Sequence, residues 1–172
     1  KSLLAEAGYP DGAGFPTLTY TYPNNDKDAL MAQALQAQLK AVLNISIELQ
    51  AQEGEAYNTT KSEGSFDLLR YSWTADFDDP INYLSMFVST SALNFNHVND
   101  ADFDAAVAAS NTALDQEERN AYLHEAEEIL VDENFYMIPV TTMHYIGLRK
   151  ADITGVTYDG TGLTLYRYAA RD

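Results

Sequence analysis

Three aspartates, Asp76, Asp78 and Asp79, follow the single tryptophan of the chain, Trp73, and Pro80 closes the run. Carboxylates at that density open three chemistries. Paired carboxylates perform acid–base hydrolysis, but the glycosidase form needs two that face each other across a substrate, usually from separate elements, and one loop does not supply that. A calcium loop needs more: D-x-D-D-P lacks the glycine and the distal glutamate of an EF-hand. In the third reading one carboxylate pairs with a ligand ammonium while the others cap a helix. This reading gains from Tyr71 and Trp73, which could wall a site and exclude water, strengthening the pairing. The plain structural alternative is that all the aspartates cap or stay solvated at the helix start that Pro80 favours.

A zwitterionic ligand also needs a cation for its carboxylate. Arg70, three residues before Trp73, and Lys61 are two of only 10 basic residues, and arginine offers a bidentate fork for a carboxylate. On a strand, Arg70 and Ser72 share one face and Tyr71 and Trp73 the other. The competing reading of Arg70 is an ion pair with one of the 26 acidic residues. The three histidines, His97, His124 and His144, are far apart and in no metal-ligand spacing, so they read as ordinary surface or core residues. No cofactor motif is present: there is neither a GxSxG nor a P-loop, and no strand precedes Gly12 and Gly14. Two short sequons, Asn44-Ile-Ser46 and Asn58-Thr-Thr60, are of a kind that occurs often by chance.

The elements that must position these side chains are legible from periodicity. Lys1 to Ala7 is a helix end before Gly8 and Pro10. Thr17 to Tyr22 alternates, with Leu18, Tyr20 and Tyr22 on one face, and so predicts a strand. Asn24, Asn25 and Asp26 offer N-caps for a helix from about Lys27 to Leu43, whose Leu35, Leu39 and Val42 share a face. Ile45, Ile47 and Leu49 then alternate again, giving a βαβ unit and a parallel sheet. Gly54 to Glu63 reads as a short helix ended by Gly64, and Phe66 to Trp73 as the central strand. Helices are predicted from Pro80 to about Val88, Asp100 to Thr112 and Asp115 to Glu133, the last with Tyr122, Ala126, Ile129 and Leu130 facing one way. Ser89 to Asn99 reads as loop. Strands are predicted at Phe135 to Val140, His144 to Leu148 and Leu163 to Tyr168. A strand ending in an aromatic and an acidic loop, at the mouth of an α/β sheet, is where such folds place ligands.

The whole composition narrows the partners. The 172 residues suit one domain with its own core, and 46% hydrophobic against 21% charged content is ordinary for a globular protein. A net charge of −16 argues against nucleic acid and against an anionic membrane surface. With no cysteine, disulfides, thiolate metal sites and cysteine nucleophiles are excluded. No run reaches membrane-spanning length. The opening KSLLAEAG already reads as a helix, so the chain looks cut from something longer.

Several separated motifs, in order, carry a resemblance that runs nearly end to end. LLAEAGYPDGAGFPTLTY, FDLLRYSWTADFDDP, and FDAAVAAS followed by ERNAYLHEAEEILVDE and IPV resemble the dipeptide/oligopeptide-binding proteins of ABC importers, solute-binding protein family 5. The resemblance implies a periplasmic-binding-protein type II fold: an α/β lobe with a mixed, mostly parallel sheet flanked by helices. Residues 1–172 would form one such lobe, the C-terminal one, with an N-terminal lobe of the same parent chain supplying the opposite wall. In peptide-binding members the acid of the W-x-A-D motif holds the ligand α-amino group. That motif falls on Trp73, Ala75 and Asp76. The basic residue three before the tryptophan, which meets peptide carboxylates, falls on Arg70, with Lys61 in a neighbouring basic position and Tyr71 beside it. Phe77 replaces the usual tyrosine, and Asn134-Phe135-Tyr136-Met137 replaces the usual Ala-Pro pair before IPV. The implied function is binding without catalysis: extracytoplasmic capture of a peptide, in the periplasm or as a surface lipoprotein, and delivery to a membrane permease, with no nucleic acid or metal involved. The family also includes binders of nickel chelates, oligosaccharides and opines, so the ligand class stays open. A carboxylate-dependent hydrolase using Asp76 or Asp79 is the rival from another class.

Overall fold

The computed structural model describes residues 1–143 and 146–172. They form two compact units, Lys1–Ser72 and Trp73–Asp172, and the boundary falls inside the motif that carries the candidate site.

The first unit is the predicted βαβ arrangement with one further strand. After α1 (Ser2–Glu6) and a single tight turn at Pro10–Gly12 come β1 (Leu18–Pro23), α2 (Asp26–Leu43), β2 (Ile47–Gln52), α3 (Gly54–Glu63) and β3 (Leu68–Leu69). The sheet order is β2-β1-β3, and both pairings are parallel, with Tyr20 opposite Leu49 and Leu68. Helix α2 starts where the asparagines predicted it: the Asn25 side chain accepts from the Asp28 N–H, which satisfies one of the free donors of the first turn. It ends at Asn44 in the left-handed region, a conformation that asparagine tolerates better than most residues. Gly64 ends α3 in the same way, at φ 65°.

Because β1 is the central strand, it is buried on both faces, not one. Tyr20 and Tyr22 pack with Ala32, Ile47, Leu35, Leu39 and Leu68, while Thr21, on the other face, is 1% exposed and bonds Gln50 through its hydroxyl. Val42, expected on the packed face of α2, is 57% exposed; the contact face of α2 is set by Ala32, Leu35 and Leu39 and has turned away by the last turn. The expected strand Phe66 to Trp73 shrinks to Leu68–Leu69. At its start the Asp67 carboxylate, not a main-chain carbonyl, takes the Thr19 N–H. At its end one more bond, Arg70 N–H to Thr21 carbonyl, closes the ladder.

The second unit is helical with two small antiparallel pairs. Helices α4 (Ile81–Leu84), α5 (Ala101–Thr112) and α6 (Gln116–Glu127) lead into a π-helical turn at Glu128–Glu133. Asp100 and Asp115 cap α5 and α6, each accepting two amide N–H groups of the first turn. Phe103, Val107, Leu123, Ala126 and Leu130 fill the core. The helix predicted to run unbroken to Glu133 changes pitch instead; the wider turn lets the adjacent residues Ile129 and Leu130 both be buried, while Tyr122 is only half-buried. The helix from Pro80 is a single turn, continued by looser turns through Phe87.

Three expected strands differ. Phe135 to Val140 makes no ladder: Phe135 has φ 52°, off the extended region, and Ile138 and Val140 point to solvent. Of His144 to Leu148, His144 and Tyr145 lie outside the described residues, and Ile146–Leu148 is not strand. Leu163 to Tyr168 contracts to β6 (Thr164–Leu165), paired with β5 (Thr157–Tyr158); β4 (Ile153–Thr154) pairs with β7 (Ala170–Arg171).

Candidate ligand-binding site

The predicted residues fall into two groups, one in each unit. In the first unit Arg70 leaves the end of β3 with its main chain fixed on both sides. Its N–H donates to the Thr21 carbonyl, and its own carbonyl accepts from the Tyr57 hydroxyl. Its guanidinium is not open to water. Nε lies 2.7 Å from Asp28 Oδ1, and both side chains are about a tenth exposed (11% and 9%). The two atoms approach without the alignment of a directed hydrogen bond, so the attraction is that of charge to charge. Asp28 is itself held by the Asn25 side-chain amide at 2.8 Å.

Around this pair stand tyrosines. Burial pushes the Tyr57 hydroxyl up to about 12, with the Arg70 charge opposing. Burial raises Tyr20 and Tyr71 as well. The Lys61 ammonium, from the last turn of α3, lies over the rings of Tyr57 and Tyr71, 5.7 and 5.5 Å from their centroids. That is cation–π distance, and it tethers the ammonium near the point where the chain leaves the sheet.

In the second unit the centre of the arrangement is Asn82, in α4 and buried. Its Oδ1 accepts the Trp73 indole N–H at 2.7 Å and the Asp76 backbone N–H at 3.3 Å. One side-chain oxygen therefore sets both the indole and the main chain of the acidic loop. Ala75 is half-buried between them. The three carboxylates then separate by environment. Asp79 accepts from Arg119 at 2.8 Å and from the Ile81 N–H at 2.9 Å. The Arg119 bond is the main reason its carboxyl titrates below the usual range. Asp78 lies against Gly160, where an added Cβ would come within 2.1 Å of its Oδ2, so a side chain there would have to push the Asp78 carboxylate aside. The Asp76 side chain is exposed, and no described residue pairs with its carboxylate. Asp78 is exposed as well, so of the three carboxylates only that of Asp79 is committed to partners within the unit.

Sequence reasoning proposed Trp73 and Asp76 as candidates, foresaw an aspartate capping the following helix, as Asp79 does, and named an ion pair as one fate of Arg70. It missed Asp28, Tyr57, Asn82 and Arg119. A signal existed for Asn82, because a buried indole N–H needs an acceptor and Asn82 is the polar residue inside the helix that follows. For Asp28 there was none: it lies 42 positions from Arg70 in the sequence and was legible only as part of a helix start. Among the described residues no group of three or more His, Asp or Glu side chains could hold a metal ion, and no helix is long and apolar enough to cross a membrane. The cavity that α5 and α6 line, between Asp100, Tyr122, Glu125 and Glu128, includes none of the predicted site residues.

The family of bacterial extracellular solute-binding proteins, family 5 middle, matches residues 1–95. The periplasmic murein peptide-binding protein MppA of Escherichia coli is 32% identical over 134 residues, 77% of this chain and 25% of that protein. The periplasmic oligopeptide-binding protein OppA of the same organism is 30% identical over 149 residues, 87% of this chain and 27% of its own. Haemophilus influenzae OppA, solved in complex with RPPGFSPFR, superposes with a TM-score of 0.70 at 31% identity, covering 78% of this chain and 26% of that one. The chain thus spans about a quarter of the length of these relatives. Its structural neighbours are type II periplasmic binding proteins, and the expected fold class holds.

Proposed function

This chain belongs to the bacterial extracellular solute-binding proteins of family 5, and from that premise we propose that its parent protein captures peptides outside the cytoplasm for import. The ligand is a di- to oligopeptide held without chemistry and passed to the permease of an ABC importer. Residues 1–172 form most of the C-terminal lobe, and an N-terminal lobe of the same parent closes over the ligand from the other side. The protein works in the periplasm or as a lipid-anchored surface protein.

One observation carries the reading: the Asp76 carboxylate is exposed and uncommitted, while Asn82 holds the Asp76 main chain and Trp73 in place. A preset anion beside a fixed indole suits a peptide α-ammonium, and closure of a lobe over it lowers the local dielectric and strengthens the pairing. In the second unit Trp73 and Ala75 supply apolar wall; in the first, the Tyr71 ring carries the Lys61 ammonium. Lys61 supplies positive charge for a ligand carboxylate. Arg70, the other predicted cation, enters in a changed role, because its charge is already met by Asp28.

The test is calorimetric titration of the full-length protein with a mixed di- to pentapeptide pool, repeated with N-acetylated peptides and with Asp76→Ala. Each change should weaken binding about 10- to 100-fold, the loss of one charge-assisted contact. Affinity indifferent to both changes would refute recognition of the α-amino group and turn attention to a sugar, opine or metal chelate.

A further inference from the structure

We infer that Asp28 is a specificity-determining residue: as a built-in counter-ion to Arg70 it removes selection for a free ligand carboxylate at that arginine. The inference rests on the peptide reading above and sharpens which peptides are accepted.

Both partners are in place before any ligand arrives. Asp28 occupies the first turn of the 18-residue helix α2, where the helix dipole favours a negative charge. The Asn25 side chain grips it twice, donating to Oδ2 at 2.8 Å and accepting from its N–H at 3.0 Å. Arg70 is held through its own peptide groups by Thr21 and Tyr57. The Asp28 carboxylate cannot swing away without breaking its bond to the Asn25 amide at the helix start, and the pinned main chain of Arg70 delivers its side chain to that carboxylate.

The geometry decides what Arg70 can still do. A bidentate fork that uses Nε needs the position that Asp28 Oδ1 holds, at 2.7 Å. A ligand carboxylate could take it only by displacing Asp28, and that would strand a nearly buried carboxylate with the Asn25 amide as its remaining partner. A carboxylate arriving beside the intact pair would meet the negative charge of Asp28 as well as the positive charge of Arg70. Either way a free carboxylate gains little over a neutral amide. The protein therefore accepts peptides whatever the state of the group that reaches Arg70, whether a C-terminus or a continuing chain.

The experiment compares one tetrapeptide as its free acid and as its C-terminal amide, titrated into the full-length native protein, Asp28→Asn and the double variant Asp28→Asn/Arg70→Met. The native protein should bind the two forms within about threefold of each other. In Asp28→Asn the unmasked guanidinium should favour the free acid about tenfold or more, the range of a charge-assisted bond. In the double variant the ratio should fall back to within about threefold. A native preference of tenfold for the free acid overturns the inference, and so does a ratio unmoved by Asp28→Asn. Should Asp28→Asn fail to fold, native and double variant still decide: a strong free-acid preference in the native protein that the double variant abolishes would show that Arg70 is available. Binding with the wrong ratios defeats the role of Asp28 alone. No binding of either form to the native protein defeats the peptide reading and this inference with it.

Discussion

Arg70→Met should be among the most damaging single changes in the first unit, and the damage should largely disappear when Asp28→Asn is added. At 2.7 Å and an effective dielectric of about 20, the gross attraction of the pair is about 6 kcal/mol. Most of that is offset by taking both groups out of water, so the pair adds little over a neutral couple of similar size. Removing one partner is different. Arg70→Met leaves the Asp28 carboxylate nearly buried with only the Asn25 side chain to satisfy it, and loss of a partner from a buried pair costs about 3–5 kcal/mol. Asp28→Asn should cost less, because arginine is long and weakly hydrated and its head can shift toward water. The double variant leaves no unpaired charge and should lie within about 1 kcal/mol of the native chain. Urea unfolding of the native chain, both single variants and the double, followed by far-UV circular dichroism, gives the full cycle. A coupling of about 2 kcal/mol or more is the predicted result. Single effects below about 1 kcal/mol that simply add would refute a buried, mutually dependent pair.

Asn82→Ala removes the acceptor of the Trp73 indole and of the Asp76 N–H; it should destabilise the second unit by about 1–3 kcal/mol and shift the emission of Trp73, the only tryptophan, which fluorescence reads directly. Phe103→Ala empties a site with 0% exposure between α5 and α6 and should cost about 3–5 kcal/mol in urea melts. Tyr57 has its hydroxyl raised from 10.0 to about 12, so the stability it contributes is complete below pH 10 and is lost as pH rises through the folded value; Tyr57→Phe should flatten the alkaline limb of a stability–pH curve. On the acid side, Asp79 is depressed chiefly by Arg119 and Asp100 chiefly by the Phe103 N–H. Their contributions are present above the unfolded value of 3.8 and fade as pH falls through the folded ones, so melts between pH 5 and 2.5 should show less acid loss in Asp100→Asn than in the native chain.

Local signals carried far in the first unit because there local and tertiary preferences agree. The alternation of Thr17 to Tyr22, the asparagines before α2 and the glycine after α3 each act within a few residues, and each appears in the structure as predicted. What escaped was decided between distant segments. A strand-like composition from Phe66 to Trp73 could not reveal that Asp67 would intercept the Thr19 amide and leave two paired residues. Tyr22 and Thr21 are both buried because β1 is central, a fact of sheet order that alternation cannot express.

The site was half legible for the same reason. Trp73 and Asp76 announce themselves by type and spacing, and a motif of this kind survives in one dimension. Asn82 does not, since an asparagine in a short helix looks like any other until the indole is seen to point at it. Asp28 was hidden more deeply, because its first-turn position explained it fully as a helix-start residue. The late strands failed on composition: Phe135, Ile138, Val140, Ile146 and Leu148 have strand-forming side chains, yet all are exposed here. Propensity for a pleated surface is a preference for packing, and among the described residues these side chains stay largely exposed.

The most direct measurement of the central claim is the titration of the ligand itself. A peptide labelled with carbon-13 at its N-terminal Cα, bound to the full-length protein, reports the protonation of its α-amino group by NMR. If Asp76 holds the ammonium, its pKa should rise well above the ordinary value of about 7.7–8.0 and fall back in Asp76→Asn. An α-amino group that titrates the same when bound as when free, or a raised value that survives Asp76→Asn, would contradict the account.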